Sequence, residues 1–107
     1  MITFSRETTE KALKLHQNSI FISAQDPTDI SAFDRQYVDK LLAGGVTCIN
    51  KTMNALWPNI KERALVEGIQ AIQDWKKKFQ EVGRDKITIV RSTEDIHRAK
   101  KENKPII

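Results

Sequence analysis

The sequence has few of the residues and segments that define disulfide-bonded, metal-binding, membrane-spanning or secreted proteins. Its one cysteine, Cys48, has no partner for an intramolecular disulfide, and its two histidines, His16 and His97, are too few for a histidine-based metal site. No stretch approaches the length of a membrane span, and Arg6 and Glu7 interrupt the amino-terminal residues too early for a signal peptide. These absences favour a soluble, cytoplasmic protein that has no membrane partner.

The composition predicts one small domain with a thin core. The chain has 107 residues, of which 39% are hydrophobic and 30% are charged. Eighteen Lys and Arg oppose fourteen Asp and Glu, which gives a net charge of +4. The basic residues are dispersed, and Lys76, Lys77 and Lys78 lie toward the end of a predicted helix, where positive charge complements the helix dipole. We therefore expect no nucleic-acid partner.

A double glycine followed by a β-branched run indicates a sharp exit from a helix into a buried strand. Gly44 and Gly45 suit a left-handed turn, and the strand predicted over 46–49 ends at Asn50. Such a run is typical of a strand that is covered on both faces. Cys48 lies within it, so we expect a buried structural thiol rather than a reactive one.

The same alternation of helix and strand recurs along the chain and predicts an α/β fold with a parallel sheet. Helices are expected over about 8–18, 29–42, 65–82 and 92–102, and strands over 20–22, 46–49 and 86–91. A fourth strand is expected to begin at 105–107. A sheet stopped there has an unpaired edge, so we expect a longer polypeptide or a second chain that covers this edge.

Local signals support three of these helices. Ser31 with Asp34, and Ser92 with Asp95, resemble capping boxes for the second and fourth helices. The third helix has Gly83 at its C-cap position and an apolar residue at every third or fourth position. These apolar residues are Leu65, Ile69, Ile72, Trp75, Phe79 and Val82. We assign Trp75 to the core.

Four residues near the ends of the predicted strands are the candidates for substrate binding. Gln25 and Asp26 follow the first strand, Asn50 follows the second, and Trp57 lies in an apolar loop where it would form a pocket wall. Ligand sites in parallel sheets form at the carboxyl ends of the strands. No catalytic or metal-binding residue is predicted, because the sequence has no phosphate loop, dinucleotide fingerprint, paired-cysteine site or His-Glu-x-x-His helix.

Three segments together resemble the beginning of the membrane (renal) dipeptidase family. They are ALKLHQNSIFI at 12–22, LLAGGVTCIN at 41–50 and IVRSTEDIHRAKKENK at 89–104. The most telling parts are the leucine-rich helix end that enters Gly-Gly-Val-Thr and the later Thr-x-Asp-Ile-x-x-Ala segment. The resemblance implies that residues 1–107 are a single partial domain, the first part of an incomplete (β/α)8 TIM-type barrel. The family's members are zinc-dependent hydrolases that cleave dipeptides.

The sequence departs from the family at the first metal-ligand motif. The family has a His-x-Asp pair after strand one, whereas this chain has Gln25-Asp26-Pro27. Glutamine is a weak replacement for imidazole, and proline has no side-chain donor atom. A shift of one residue would make Asp26 a carboxylate ligand, but still without its histidine partner. We expect no metal in this chain, although zinc is the cofactor of the resembled family.

The leading functional hypothesis is that this chain is the N-terminal portion of a membrane-dipeptidase-like metallopeptidase. A dipeptide-like small molecule would be the substrate of the completed barrel, and this isolated chain would be inactive. The alternative hypothesis is a non-catalytic α/β module for binding or assembly, which pairs with itself or with a partner through its exposed sheet edge.

Overall fold

Helices alternate with two parallel strands in the first half of the chain, and two further helices follow. The structure is a computed structural model that describes residues 1–53 and 63–104. Its elements are α1 (Arg6–Asn18), β1 (Ile22–Asp26), α2 (Arg35–Ala43), β2 (Cys48–Lys51), α3 (Ala64–Val82) and α4 (Thr93–Glu102). None of the described helices is both long and apolar enough to cross a bilayer.

The predicted parallel pairing is confirmed, but both strands lie further along the chain than predicted. Ile22 is opposite Cys48 and Asp26 is opposite Lys51, with an irregularity between Ser23 and Asp26. β1 therefore continues through residues 23–26, beyond its predicted end at residue 22, and Asn50, predicted to follow the second strand, lies inside β2. The predicted bounds followed the apolar residues, whereas a parallel ladder continues wherever two backbones stay in register.

The strand predicted over 86–91 is not part of this sheet. Between residues 86 and 91 the structure has one bridge residue, Thr88, instead of a continuous strand. The fourth predicted strand, at 105–107, and Trp57 lie outside the described residues. The described part of the chain is therefore a mixed α/β structure with a two-stranded parallel sheet and four helices.

α2 begins later than predicted because Asp34 is its N-cap. The Asp34 carboxylate accepts a hydrogen bond from the backbone N–H of Tyr37 at 2.8 Å. The capping box proposed for Ser31 and Asp34 is wrong, since Ser31 donates instead to Asp29 in a tight local turn. The corresponding prediction for Ser92 and the α4 helix is confirmed as a complete capping box.

The double glycine leaves α2 through a left-handed residue, as predicted. Gly45 has φ +78°, and a Cβ at this position would lie 2.5 Å from His16 Nε2. The same His16 nitrogen donates a hydrogen bond to the carbonyl oxygen of Gly44 at 2.9 Å. Glycine at position 45 thus allows α1 to contact the turn that precedes β2.

The core lies between β2, α2 and the second half of α3. Trp75 is 4% exposed, which confirms its predicted core position. The first half of the same predicted face is not buried, because Leu65 and Ile69 are 77% and 50% exposed. Most residues of β1 are exposed, whereas Thr47, Cys48 and Ile49 of the run predicted to be covered on both faces are buried. The core cluster consists of Phe33, Val38, Ile49, Trp75, Phe79, Val82 and Ile87.

Candidate functional site

The carboxyl ends of β1 and β2 hold a buried ion pair. Lys51 Nζ lies 3.2 Å from Asp26 Oδ1, and the two side chains are 1% and 4% exposed. Side chains alternate between the two faces of a strand, so Lys51 lies on the same face of β2 as the core residue Ile49. The strand register, which places Asp26 opposite Lys51, brings the two charges together.

Every N–H group of the Lys51 ammonium has an acceptor. It donates to the backbone oxygen of Asp26 at 2.8 Å, to that of Thr28 at 2.5 Å, and to Asp26 Oδ1 at 3.2 Å. Aromatic rings complete its surroundings, since Nζ lies 4.4 Å from the ring centroid of Trp75 and 5.8 Å from that of Phe33. Buried charge is tolerated when it is paired and hydrogen-bonded in this way.

The Asp26 carboxylate accepts two further hydrogen bonds. Oδ1 accepts a hydrogen bond from the backbone N–H of Thr28 at 2.8 Å, and Oδ2 accepts one from the Tyr37 hydroxyl at 2.9 Å. The Tyr37 oxygen in turn accepts a hydrogen bond from Thr28 Oγ1 at 2.8 Å. The network therefore connects the end of β1, the loop that follows it, α2 and β2.

The network favours an ionised Asp26 and a neutral Tyr37. Burial alone would raise the pKa of Asp26, but the hydrogen bonds from Thr28, Tyr37 and Lys51 outweigh it and hold this pKa below its usual value. Burial raises the pKa of Tyr37, and the adjacent Asp26 carboxylate raises it further. The Tyr37 hydroxyl is therefore a hydrogen-bond donor at neutral pH rather than a base.

The predicted substrate-binding residues lie in different environments. Asp26 is buried within the ion pair, whereas Gln25 and Asn50 are exposed and immediately precede Asp26 and Lys51 in their strands. Trp57 lies outside the described residues. Sequence reasoning missed Lys51, although a lysine two positions after the apolar Ile49 on a short strand was a usable signal.

The donor set at this network does not fit zinc. Zinc in proteins favours imidazole and thiolate ligands, and every donor around the Lys51 nitrogen is an oxygen. Within residues 1–53 and 63–104, no group of three His, Cys, Asp or Glu side chains is arranged to hold a metal ion.

Cys48 and the two histidines lie apart from this network. Cys48 is buried, as predicted, and burial raises the pKa of its thiol. His16 is engaged with the turn at Gly44, and His97 is exposed on α4. These contacts give all three residues structural or solvent-facing positions.

Comparison with known proteins finds one solved hydrolase structure to which this chain is similar. Neither the family models nor the curated proteins contain a match to this chain. Among solved structures, the chain is similar to an amidohydrolase from Pseudomonas aeruginosa, with a TM-score of 0.71 and 26% sequence identity. The match covers 89% of this chain and 26% of that one, so the chain spans about a quarter of the amidohydrolase's length. This likeness supports a relationship to a hydrolase family and does not single out the membrane dipeptidases.

Proposed function

We propose that this chain forms the first strand-helix units of an amidohydrolase barrel of the membrane-dipeptidase type. The completed barrel would hydrolyse the amide bond of a dipeptide-like small molecule. The observation that carries this proposal is the likeness to an amidohydrolase over 89% of the chain. The parallel pairing of β1 and β2 is consistent with it, because barrels of this type are built from parallel strands with ligand sites at their carboxyl ends.

The exposed amide side chains at the strand ends are the proposed substrate contacts. Gln25 and Asn50 would donate and accept hydrogen bonds to a polar substrate, and Trp57 would supply an apolar wall. Asp26 and Lys51 are saturated by their mutual contacts and would hold this edge in place. Other strands of the barrel would supply the hydrolytic groups and any zinc ligands, so the isolated chain would not turn over substrate.

An activity assay on the protein at its natural length, established from its intact mass, tests this proposal. We expect hydrolysis of dipeptides, and a several-fold increase in KM for Gln25→Ala and Asn50→Ala with kcat less affected. Gln36→Ala is the matched control, because this amide is also exposed but lies on α2. Absence of hydrolysis across dipeptides and N-acyl amino acids would contradict the proposal.

An assembly module is the second candidate function, and the exposed apolar residues favour it. Leu65, Ile69 and Ile72 lie on one face of α3 and are 44–77% exposed, and Ile89 is 46% exposed beside the bridge residue Thr88. Such surfaces mark contacts with other protein segments. This function predicts a dimer or larger oligomer of the 12.3 kDa chain, which light scattering after size exclusion measures directly.

A further inference from the structure

We propose that the ends of β1 and β2 form a receptor for a primary ammonium group, which the chain fills with its own Lys51. The receptor consists of the Asp26 carboxylate, the backbone oxygens of Asp26 and Thr28, and the face of Trp75. This inference goes beyond the proposed hydrolase function. It depends only on contacts within the described residues.

The number and type of contacts select an ammonium group. A primary ammonium has three N–H donors, and the receptor presents three oxygen acceptors to Lys51 Nζ. The remaining side is covered by Trp75, whose ring centroid is 4.4 Å from the nitrogen. An aromatic face attracts a cation but is not a ligand for magnesium, calcium or zinc, which bind oxygen, nitrogen or sulfur atoms.

The rest of the site is built for a single positive charge. The Asp26 carboxylate balances one charge, and its other oxygen is already bound to the Tyr37 hydroxyl at 2.9 Å. The whole Lys51 side chain is 1% exposed, so its aliphatic stem is buried together with the ammonium group. Removal of the stem beyond Cβ would leave space for a molecule with the shape of n-propylammonium, which has the same three carbons and nitrogen.

Amine rescue of a truncated lysine tests the receptor directly. In the full chain, Lys51→Ala should lower the melting temperature by about 10 °C or more, because Asp26 loses its buried partner. Addition of n-propylammonium should raise this temperature by several degrees in a saturable manner. Tetramethylammonium has the same charge but no N–H donors, and it should have little effect at equal concentration. Lys40→Ala, on the exposed side of α2, is the control and should respond to neither cation.

A second pair of variants keeps the test decisive if Lys51→Ala does not fold. Lys51→Met retains most of the stem volume and removes the charge, so it should melt well below the wild type. Adding Asp26→Asn to it should recover part of the loss, since the unpaired carboxylate is then gone.

Three results would overturn the inference. They are a Lys51→Met variant as stable as the wild type, equal rescue of Lys51→Ala by the two cations, and saturable zinc binding to the wild-type chain that Asp26→Asn abolishes. None of these measurements involves amide hydrolysis. A negative result for amide hydrolysis would therefore not count against the ammonium receptor, and a negative result for the receptor would not count against hydrolysis.

Discussion

Replacement of Asp26 by asparagine should remove much of the stability of this chain without changing the shape of the side chain. Asparagine has nearly the same shape and keeps an oxygen that can accept hydrogen bonds from Thr28 and Lys51. No cavity forms, so the substitution tests the effect of removing the negative charge alone. The Lys51 ammonium is 1% exposed and would lose its only buried carboxylate among the described residues. Removing one partner of a buried ion pair costs about 3–5 kcal/mol. Two backbone oxygens and the Trp75 ring still contact the ammonium, which places the expected loss near the lower value, about 3 kcal/mol.

Urea unfolding of the chain, followed by tryptophan fluorescence, measures this loss. For a chain of this size we take a denaturant slope of about 1.5 kcal/mol per M, so the midpoint should fall by about 2 M. Asp29→Asn is the matched control. The Asp29 side chain is exposed, and its carboxylate accepts hydrogen bonds from Ser31, a turn contact that asparagine also makes. The control should change the free energy of unfolding by less than about 0.5 kcal/mol.

A loss below about 1 kcal/mol for Asp26→Asn would refute this reasoning, because such a value is typical of solvent-exposed ion pairs. It would mean that water reaches Lys51 and that the strand ends are not packed as described. An unchanged midpoint with a smaller slope would instead indicate a less cooperative native state.

Two further predictions concern pH and the double glycine. The pKa of Asp26 is lower in the folded chain than in the unfolded chain, so its contribution to stability is complete above the unfolded pKa of about 3.9 and is lost as the pH falls through the folded pKa. Urea midpoints measured from about pH 7 to about pH 2 should show this loss in the wild type. A wild-type acid dependence that Asp26→Asn leaves unchanged would be evidence against it. Gly45→Ala should cost about 2 kcal/mol, because φ is +78° and the new Cβ would meet His16 Nε2 at 2.5 Å. Gly68 lies in the α3 helix, and a Cβ at this position would meet nothing within 4 Å. Gly68→Ala should therefore stabilise the chain by about 0.5–1 kcal/mol in the same assay. A change in the free energy of unfolding with the same sign for both variants would contradict the steric argument.

The sequence predicted helices more reliably than strands because helix signals are local. The Ser92 and Asp95 capping box, and the glycines that follow α2 and α3, act within a few residues of the element that they end or begin. Strand bounds depend on a distant partner. β1 continues through residues 23–25 because the register with β2 continues.

The buried network was predicted only in part for the same reason. The sequence placed Asp26 at the carboxyl end of a strand as a substrate-binding candidate. It did not predict the ion pair, because the sequence does not reveal that Lys51 enters the core and fills the space beside that carboxylate. The two residues are 25 positions apart, and only the parallel pairing makes them neighbours.

By itself, the sequence determined the alternating α/β pattern, the capping box at Ser92 and Asp95, the left-handed turn at Gly45 and the core position of Trp75. Each of these follows from backbone sterics, local hydrogen bonding or apolar spacing within one segment. Tertiary structure decided which part of the α3 apolar face is buried, where the strands end and how Lys51 is paired. Those features depend on the free energy of bringing distant segments together, since a charge enters the core only when its partners are already positioned there.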